Sequence, residues 1–140
     1  MELSALKDIL KNGGIVGAGG AGFPSYAKLD KRADTIVLNC AECEPLFNLH
    51  RQLLAKFARE ILTALEEVRK AVEAERVIIA VKPTYTNAID AVKFYLPEFK
   101  NTTISLLPEI YPAGDEIVTI YETTGRIVKP GNLPISVGVT

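Results

Sequence analysis

Three short runs rich in β-branched and apolar residues, Thr35–Asn39 (TIVLN), Val77–Val81 (VIIAV) and Thr103–Leu107 (TISLL), are separated by stretches with helical periodicity. Parallel neighbours in a sheet need a crossover of a dozen or more residues between them, usually a helix. Runs that are apolar at nearly every position suit strands covered on both faces. The pattern therefore predicts βα units, a mainly parallel sheet and a three-layer α/β domain. Leu3, Leu6, Ile9 and Leu10 mark a first helix, with Ser4 as its cap and Asn12-Gly13-Gly14 as its end. Leu54, Phe57, Ile61, Leu65, Val68 and Val72 form one apolar stripe, with a break expected near Lys56. Asn87–Leu96 carries Ile89, Val92 and Leu96 on one face, and a helix over Asp115–Thr123 stops at Gly125. A turn falls at Lys129–Asn132, and the apolar run Ile135–Val139 reads as the start of a further strand. Phe57, Phe94 and Phe99 are assigned to the core.

At 140 residues the chain has the size of one domain. It carries 16 Lys+Arg against 17 Asp+Glu, a net charge of −1. No basic stripe is present to neutralise phosphates, which argues against a nucleic-acid binder. No stretch approaches the ~20 apolar residues of a membrane helix, and the first ten residues lack a signal-peptide apolar core. A cytoplasmic domain is expected, with any membrane contact made peripherally through partner subunits.

In parallel sheets ligands sit outside the carboxyl ends of the strands. Asn39–Pro45, Lys82–Thr84 and Pro108–Glu116 fall there. A fourth segment, Gly17–Gly22, matches G-x-G-x-x-G, but a helix precedes it and Pro24 closely follows it. The ordinary dinucleotide turn needs a strand before it and a helix through its last glycine, so this is read as something else. Its small residues still let backbone N–H groups approach an anion, with Lys28 adding charge, although a plain flexible turn explains them too. Asn39-Cys40-Ala41-Glu42-Cys43-Glu44-Pro45 holds two carboxylates, an amide and two thiols. Structural zinc needs four ligands, and only His50 remains to join the C-x-x-C pair, so no metal site is expected. The thiols read as small residues in a tight loop. His50 is read as a helix-start residue without a catalytic partner. Phe23, next to the glycines, belongs either to the core or to a ligand face. Tyr111 is a candidate to stack on a planar ligand, and Glu116 either accepts from a ligand or complements a helix dipole.

Gly13–Pro24, Asn39–Pro45 and Tyr111–Glu116, in that order, resemble the flavin-binding domain carried by the RnfC-type component of Rnf-type electron-transport complexes. They equally resemble its cobalamin-reductase and proline-reductase-associated relatives. More distantly they are similar to the FMN-carrying, NADH-oxidising subunit of respiratory complex I. The resemblance covers essentially the whole chain, including Thr124-Gly125-Arg126 and Pro130–Pro134. It implies a Rossmann-like fold holding FMN, with NADH docking over the flavin and electrons leaving one at a time to iron–sulfur centres. It places Gly17, Gly19, Gly20, Ala21 and Lys28 against FMN, and Asn39 and Glu42 in hydrogen bonds to the flavin region. It puts Glu44 beside the nicotinamide and Phe23 on the dinucleotide, with Tyr111 and Glu116 completing the pocket. No side chain is required as a strong base, because the chemistry belongs to the cofactors.

The complex I pattern has Arg where Ala18 stands and an acid where Ala41 stands, which places the chain on the Rnf and cobalamin-reductase side. The Rnf pattern usually has Gly at the place of Cys40. The resemblance also implies β-grasp-like and iron–sulfur domains downstream, so residues 1–140 are expected to be a single domain of a shortened or split subunit. That piece alone is not expected to pass electrons onward. Two other readings stand beside NADH oxidation. One is a flavin relay in a cobalamin- or proline-reductase system without a nicotinamide site; the other is a non-catalytic docking module.

Overall fold

The computed structural model describes residues 1–17, 22–44 and 46–140. Strands β1 (Thr35–Asn39), β2 (Arg76–Val81) and β3 (Thr102–Leu106) form a sheet in the order β1-β2-β3. Both pairings are parallel, with Thr35 opposite Arg76 and Val77 opposite Thr102. The crossovers are helices, as the spacing requires. Leu49–Lys56 (α3) and Ala58–Val72 (α4) join the first pair, and Thr86–Tyr95 (α5) joins the second. Leu3–Asn12 (α1) and the single turn Ser25–Lys28 (α2) precede the sheet, and Glu116–Thr124 (α6) follows it.

Side-chain size along β2 sets the character of the two faces. Val77, Ile79 and Val81 point into the main core, where Leu54, Leu62, Val72 and Val92 from α3, α4 and α5 are also buried. Ala80 points the other way, into a small cluster with Ala41, Leu107 and Ala113. Alanines there let the loops at the carboxyl ends of the strands approach each other closely. Farther along that face, Ile120 of α6 packs with Val128, Val139 and Val37. The outer edge of β1 is also paired. Thr140 donates its N–H to the Thr35 carbonyl at 3.1 Å and accepts from the Val37 N–H at 2.8 Å, a continued parallel ladder.

The expected break in the apolar stripe falls at Phe57, between α3 and α4. Gly125 ends α6 in the left-handed region, at φ 70°. Several details differ from the sequence reading. Glu2, not Ser4, flanks α1, and no side chain caps that end. Strand β3 begins one residue earlier than expected. Residues Pro134–Val137 form a 3-10 turn, so pairing with β1 starts only at their end. Phe94 is 76% exposed because the buried face of α5 is Ala88, Ile89 and Val92. Two residues beyond Val92 is about 200° around the helix, toward solvent. Phe57, at the α3–α4 junction, is also partly exposed beneath Lys56, and only Phe99 packs against the core as expected.

Candidate functional site

The three loops at the carboxyl end of the sheet meet. The Asn39 side-chain amide donates to the Gly114 carbonyl at 2.7 Å, and Asn39 Oδ1 accepts from the Ala41 N–H at 3.0 Å. Lys82 Nζ donates to the Glu42 carbonyl at 2.7 Å, and the Thr84 N–H donates to Glu109 Oε1 at 3.2 Å. Gly114 is where the approach is tightest. A Cβ there would lie 2.3 Å from the Ala41 carbonyl oxygen and 2.7 Å from Cys43 Sγ. Ala41 itself is buried against Ala80 and Ala113, which gives the absent acid at this position a physical reason: a carboxylate would be buried among methyl groups.

Beside this junction runs a cleft of about 630 Å³, bounded by α2, α6 and residues 133–140 with β1 as its floor. That size falls within the ~300–1,000 Å³ typical of sites that enclose a cofactor-sized ligand. Phe23, Val37, Ile120, Leu133, Ile135 and Val139 give it apolar walls, and Asn39, Lys28 and Glu116 give it polar groups. Asn39 keeps one amide hydrogen and one carbonyl lone pair beyond the bonds it already makes.

The cations at the rim are not equivalent. Arg32 is bound to Asp30 through Nε and Nη2, and this holds the Asp30 carboxyl down at about 2. Lys28 faces Glu116 Oε1 at 3.4 Å, with both side chains about half exposed, and stands 5.7 Å from the centre of the Phe23 ring. An exposed pair of this kind is worth about 0–1 kcal/mol. Lys28 is therefore the cation that an incoming anion can recruit.

Of the residues singled out in the sequence, Phe23, Lys28, Asn39 and Glu116 line the cleft together. Gly17 does not, because its N–H is committed to the Phe23 carbonyl at 2.9 Å, closing the loop base beside the Val16–Pro24 bridge. Gly19, Gly20 and Ala21 lie outside the described residues, as does Pro45. Gly22 takes a positive φ of 68° that favours glycine. Tyr111 is 81% exposed and is not among the residues that line the cleft, while Ala113 of the same loop is buried. Glu44 is exposed and outside the lining. Glu42 is buried but turns toward α3, where Oε1 accepts the His50 N–H at 2.7 Å. His50 thus has an acidic neighbour that its sequence context does not disclose. Cys40 is a core residue whose thiol burial pushes up to about 12, with the Glu42 charge adding to the shift, and it makes no disulfide with Cys43.

Asp30, Thr119, Ile120, Leu133 and Ile135 also line the cleft and are not among the site residues that the sequence suggests. The apolar run Ile135–Val139 is a sequence signal for Ile135 alone among them.

Residues 10–140 match the family model described as the Nuo51 FMN-binding domain. Cobalamin reductase PduS of Citrobacter freundii is 41% identical over 138 residues, which cover 99% of this chain and 30% of that protein. The matching component of the Na+-translocating ferredoxin:NAD+ oxidoreductase complex of Acetobacterium woodii is 37% identical over 143 residues, covering 99% of this chain and 32% of that one. The chain thus spans about a third of the length of these relatives. Among solved structures, an NAD+-reducing NiFe-hydrogenase in its H2-reduced state superposes with a TM-score of 0.82 at 20% identity, over 96% of this chain and 27% of that one. That likeness establishes the Rossmann-like, complex I-type fold. Among the described residues no helix is long and apolar enough to cross a membrane.

Proposed function

Because the chain belongs to the family of Nuo51 FMN-binding domains, we propose that the cleft between α2, α6 and residues 133–140 is where FMN is held. The observation that carries this reading is the lining itself: one recruitable cation, an amide with spare hydrogen-bonding capacity, and apolar walls in a space of about 630 Å³. This donor set fits a group with an anionic end and a planar, polar-edged ring. Lys28 would hold the phosphate and give up Glu116 to do so. Gly19, Gly20 and Ala21 would add backbone N–H groups to it. Phe23, Val37 and Ile135 would cover the apolar surface of the ring, and Asn39 would orient its polar edge. Ala41, Cys43 and Gly114 would keep the end of the cleft rigid through close backbone packing.

When bound, FMN supplies the exchange between a two-electron hydride donor and one-electron carriers. The protein's own part is binding, orientation and exclusion of water. We take NADH as the donor, iron–sulfur centres outside this chain as the acceptors, and the setting as one component of a larger electron-transfer assembly. Support comes from relatives that are named as part of an oxidoreductase complex and as an NAD+-reducing enzyme. A specific observation favours the second reading, a flavin relay without a direct nicotinamide site. Glu44 and Tyr111, which the resemblance puts beside the nicotinamide and in the pocket, stand outside the cleft.

The test is an FMN titration of the chain, followed by quenching of flavin fluorescence. Saturable binding that weakens at least tenfold in Lys28→Ala supports the site, and equal affinity in the variant refutes it. Anaerobic NADH added to the flavin-loaded full-length protein then separates the donors. Bleaching of the flavin supports NADH oxidation, and an unchanged spectrum supports the relay.

A further inference from the structure

The cleft has β1 as its floor, and each of two walls is tied to that floor by a side-chain donor onto a backbone carbonyl. On the α6 side the donor is Asn39, whose amide reaches the Gly114 carbonyl. On the α2 side it is Thr140, whose hydroxyl donates to the Lys28 carbonyl at 2.6 Å. A carbonyl only accepts, so the direction of this bond is fixed. Its length lies on the short side of the usual range for O–H···O bonds. The two residues are 112 apart in the chain, so no local turn imposes the contact. Both line the cleft.

Thr140 is itself held in place by strand pairing. Its N–H donates to the Thr35 carbonyl at 3.1 Å, and its carbonyl accepts the Val37 N–H at 2.8 Å. Lys28 ends the single turn Ser25–Lys28, which is too short to be stable through its own hydrogen bonds. Its ammonium faces Glu116 at 3.4 Å with both side chains about half exposed, and a pair of this kind contributes only about 0–1 kcal/mol. Leu29, the next residue, is buried in the main core. The Lys28 carbonyl therefore sits between two anchors, the Leu29 side chain and the Thr140 hydroxyl, and only the second refers it to β1 at the cleft.

We propose that Thr140 is a positioning residue for anion recognition in the cleft: through the Lys28 carbonyl it fixes the turn from which the Lys28 ammonium reaches the ligand's phosphate. The consequence for flavin rests on the reading above. Without the hydroxyl the turn shifts relative to β1, and the attraction between ammonium and phosphate weakens with distance. The apolar contacts that Val37 and Ile135 offer the ring come from other segments and do not pass through that turn.

FMN and riboflavin differ only in the terminal phosphate, so the ratio of their affinities for the chain isolates phosphate recognition. Thr140→Val keeps the outline of the side chain and removes the hydroxyl. The ratio is expected to fall about fivefold or more in Thr140→Val and to stay within about twofold of the unmodified value in Thr140→Ser. Added to Lys28→Ala, Thr140→Val is expected to lower the ratio no further, because it acts through Lys28. An unchanged ratio in Thr140→Val, including equal weakening of both flavins, overturns the proposal. So does an equal fall in the Lys28→Ala background.

A second measurement uses no flavin. In the unmodified chain the backbone amides of Lys28 and Leu29 are expected to show 15N order parameters of about 0.85, those of rigid backbone, and to lose order in Thr140→Val. Values below about 0.6 in the unmodified chain, or no change in the variant, overturn the positioning role whether or not FMN binds. Equal affinity for FMN and riboflavin in both the unmodified chain and Lys28→Ala refutes instead the phosphate reading of the cleft, and the order parameters still decide whether Thr140 holds Lys28.

Discussion

The side-chain amide of Asn39, the last residue of β1, donates to the carbonyl of Gly114, the second residue before α6, at 2.7 Å. One side chain thereby ties the end of the first strand to a loop that arrives 75 residues later. Asn39→Leu keeps the approximate size and removes both bonds. Leaving the Gly114 carbonyl and Ala41 N–H short of partners costs about 1–3 kcal/mol. A lower urea midpoint at unchanged slope is the expected result.

Gly114→Ala tests how tightly the loops at the end of the cleft are packed. The added carbon would lie 2.3 Å from backbone oxygen, so the loops must separate. Overpacking of this kind costs about 1–3 kcal/mol. Because the displaced backbone borders the cleft, FMN affinity is expected to fall more than stability does. Equal affinity in the variant and the unmodified protein would show that Gly114 is a folding requirement only.

Asp34 and Arg126 pin residues 137–140 against β1. Arg126 Nη1 donates to Asp34 Oδ1 at 2.8 Å and to the Val137 carbonyl at 2.9 Å. The Arg126 hydrogen bond holds the Asp34 carboxyl below its ordinary 3.8, helped by the Thr35 hydroxyl. A folded-state value below the unfolded one stabilises above the unfolded value, and the contribution is lost as pH falls through the folded value. The stability gap between the unmodified protein and Arg126→Met is therefore expected to be flat near neutrality and to shrink below about pH 4. Thermal unfolding across pH checks the sign.

Cys40 and Cys43 differ in environment despite their spacing. With the Cys40 thiol pushed up to about 12 and buried, its thiolate is scarce at mild pH. Iodoacetamide at about pH 8, close to the ordinary thiol value, is expected to modify Cys43 first and Cys40 only after denaturation, as read by peptide mass spectrometry. Rapid labelling of Cys40 in the native protein would contradict its place in the core.

Much of the fold is legible in the residues because strands buried on both faces and their crossover helices carry their periods directly, as Val77–Val81 and Ile61–Val72 show. Phe94 misleads because apolar identity does not fix helix phase when Ala88 and Val92 already supply the buried face. Local motif reading gathers Lys28, Asn39 and Glu116. It does not reveal that Lys28 faces Glu116 across 88 residues, or that Glu42 turns toward His50. The motif around Tyr111 does not reveal that Ala113 is the residue of this loop that is buried. The walls contributed by Leu133 and Ile135 depend on where residues 133–140 return beside β1, a relation that no local pattern carries.

Mapping amide shifts of the 15N-labelled chain during addition of FMN locates the flavin directly. Saturable shifts concentrated at Lys28, Asn39, Gly114, Thr119 and Thr140, all at or lining the cleft, are the expected result. Shifts confined to the surface around Glu66, Lys70 and Asn101 on the far side of the sheet, or none at FMN concentrations that saturate the fluorescence titration, would contradict a flavin site in this cleft.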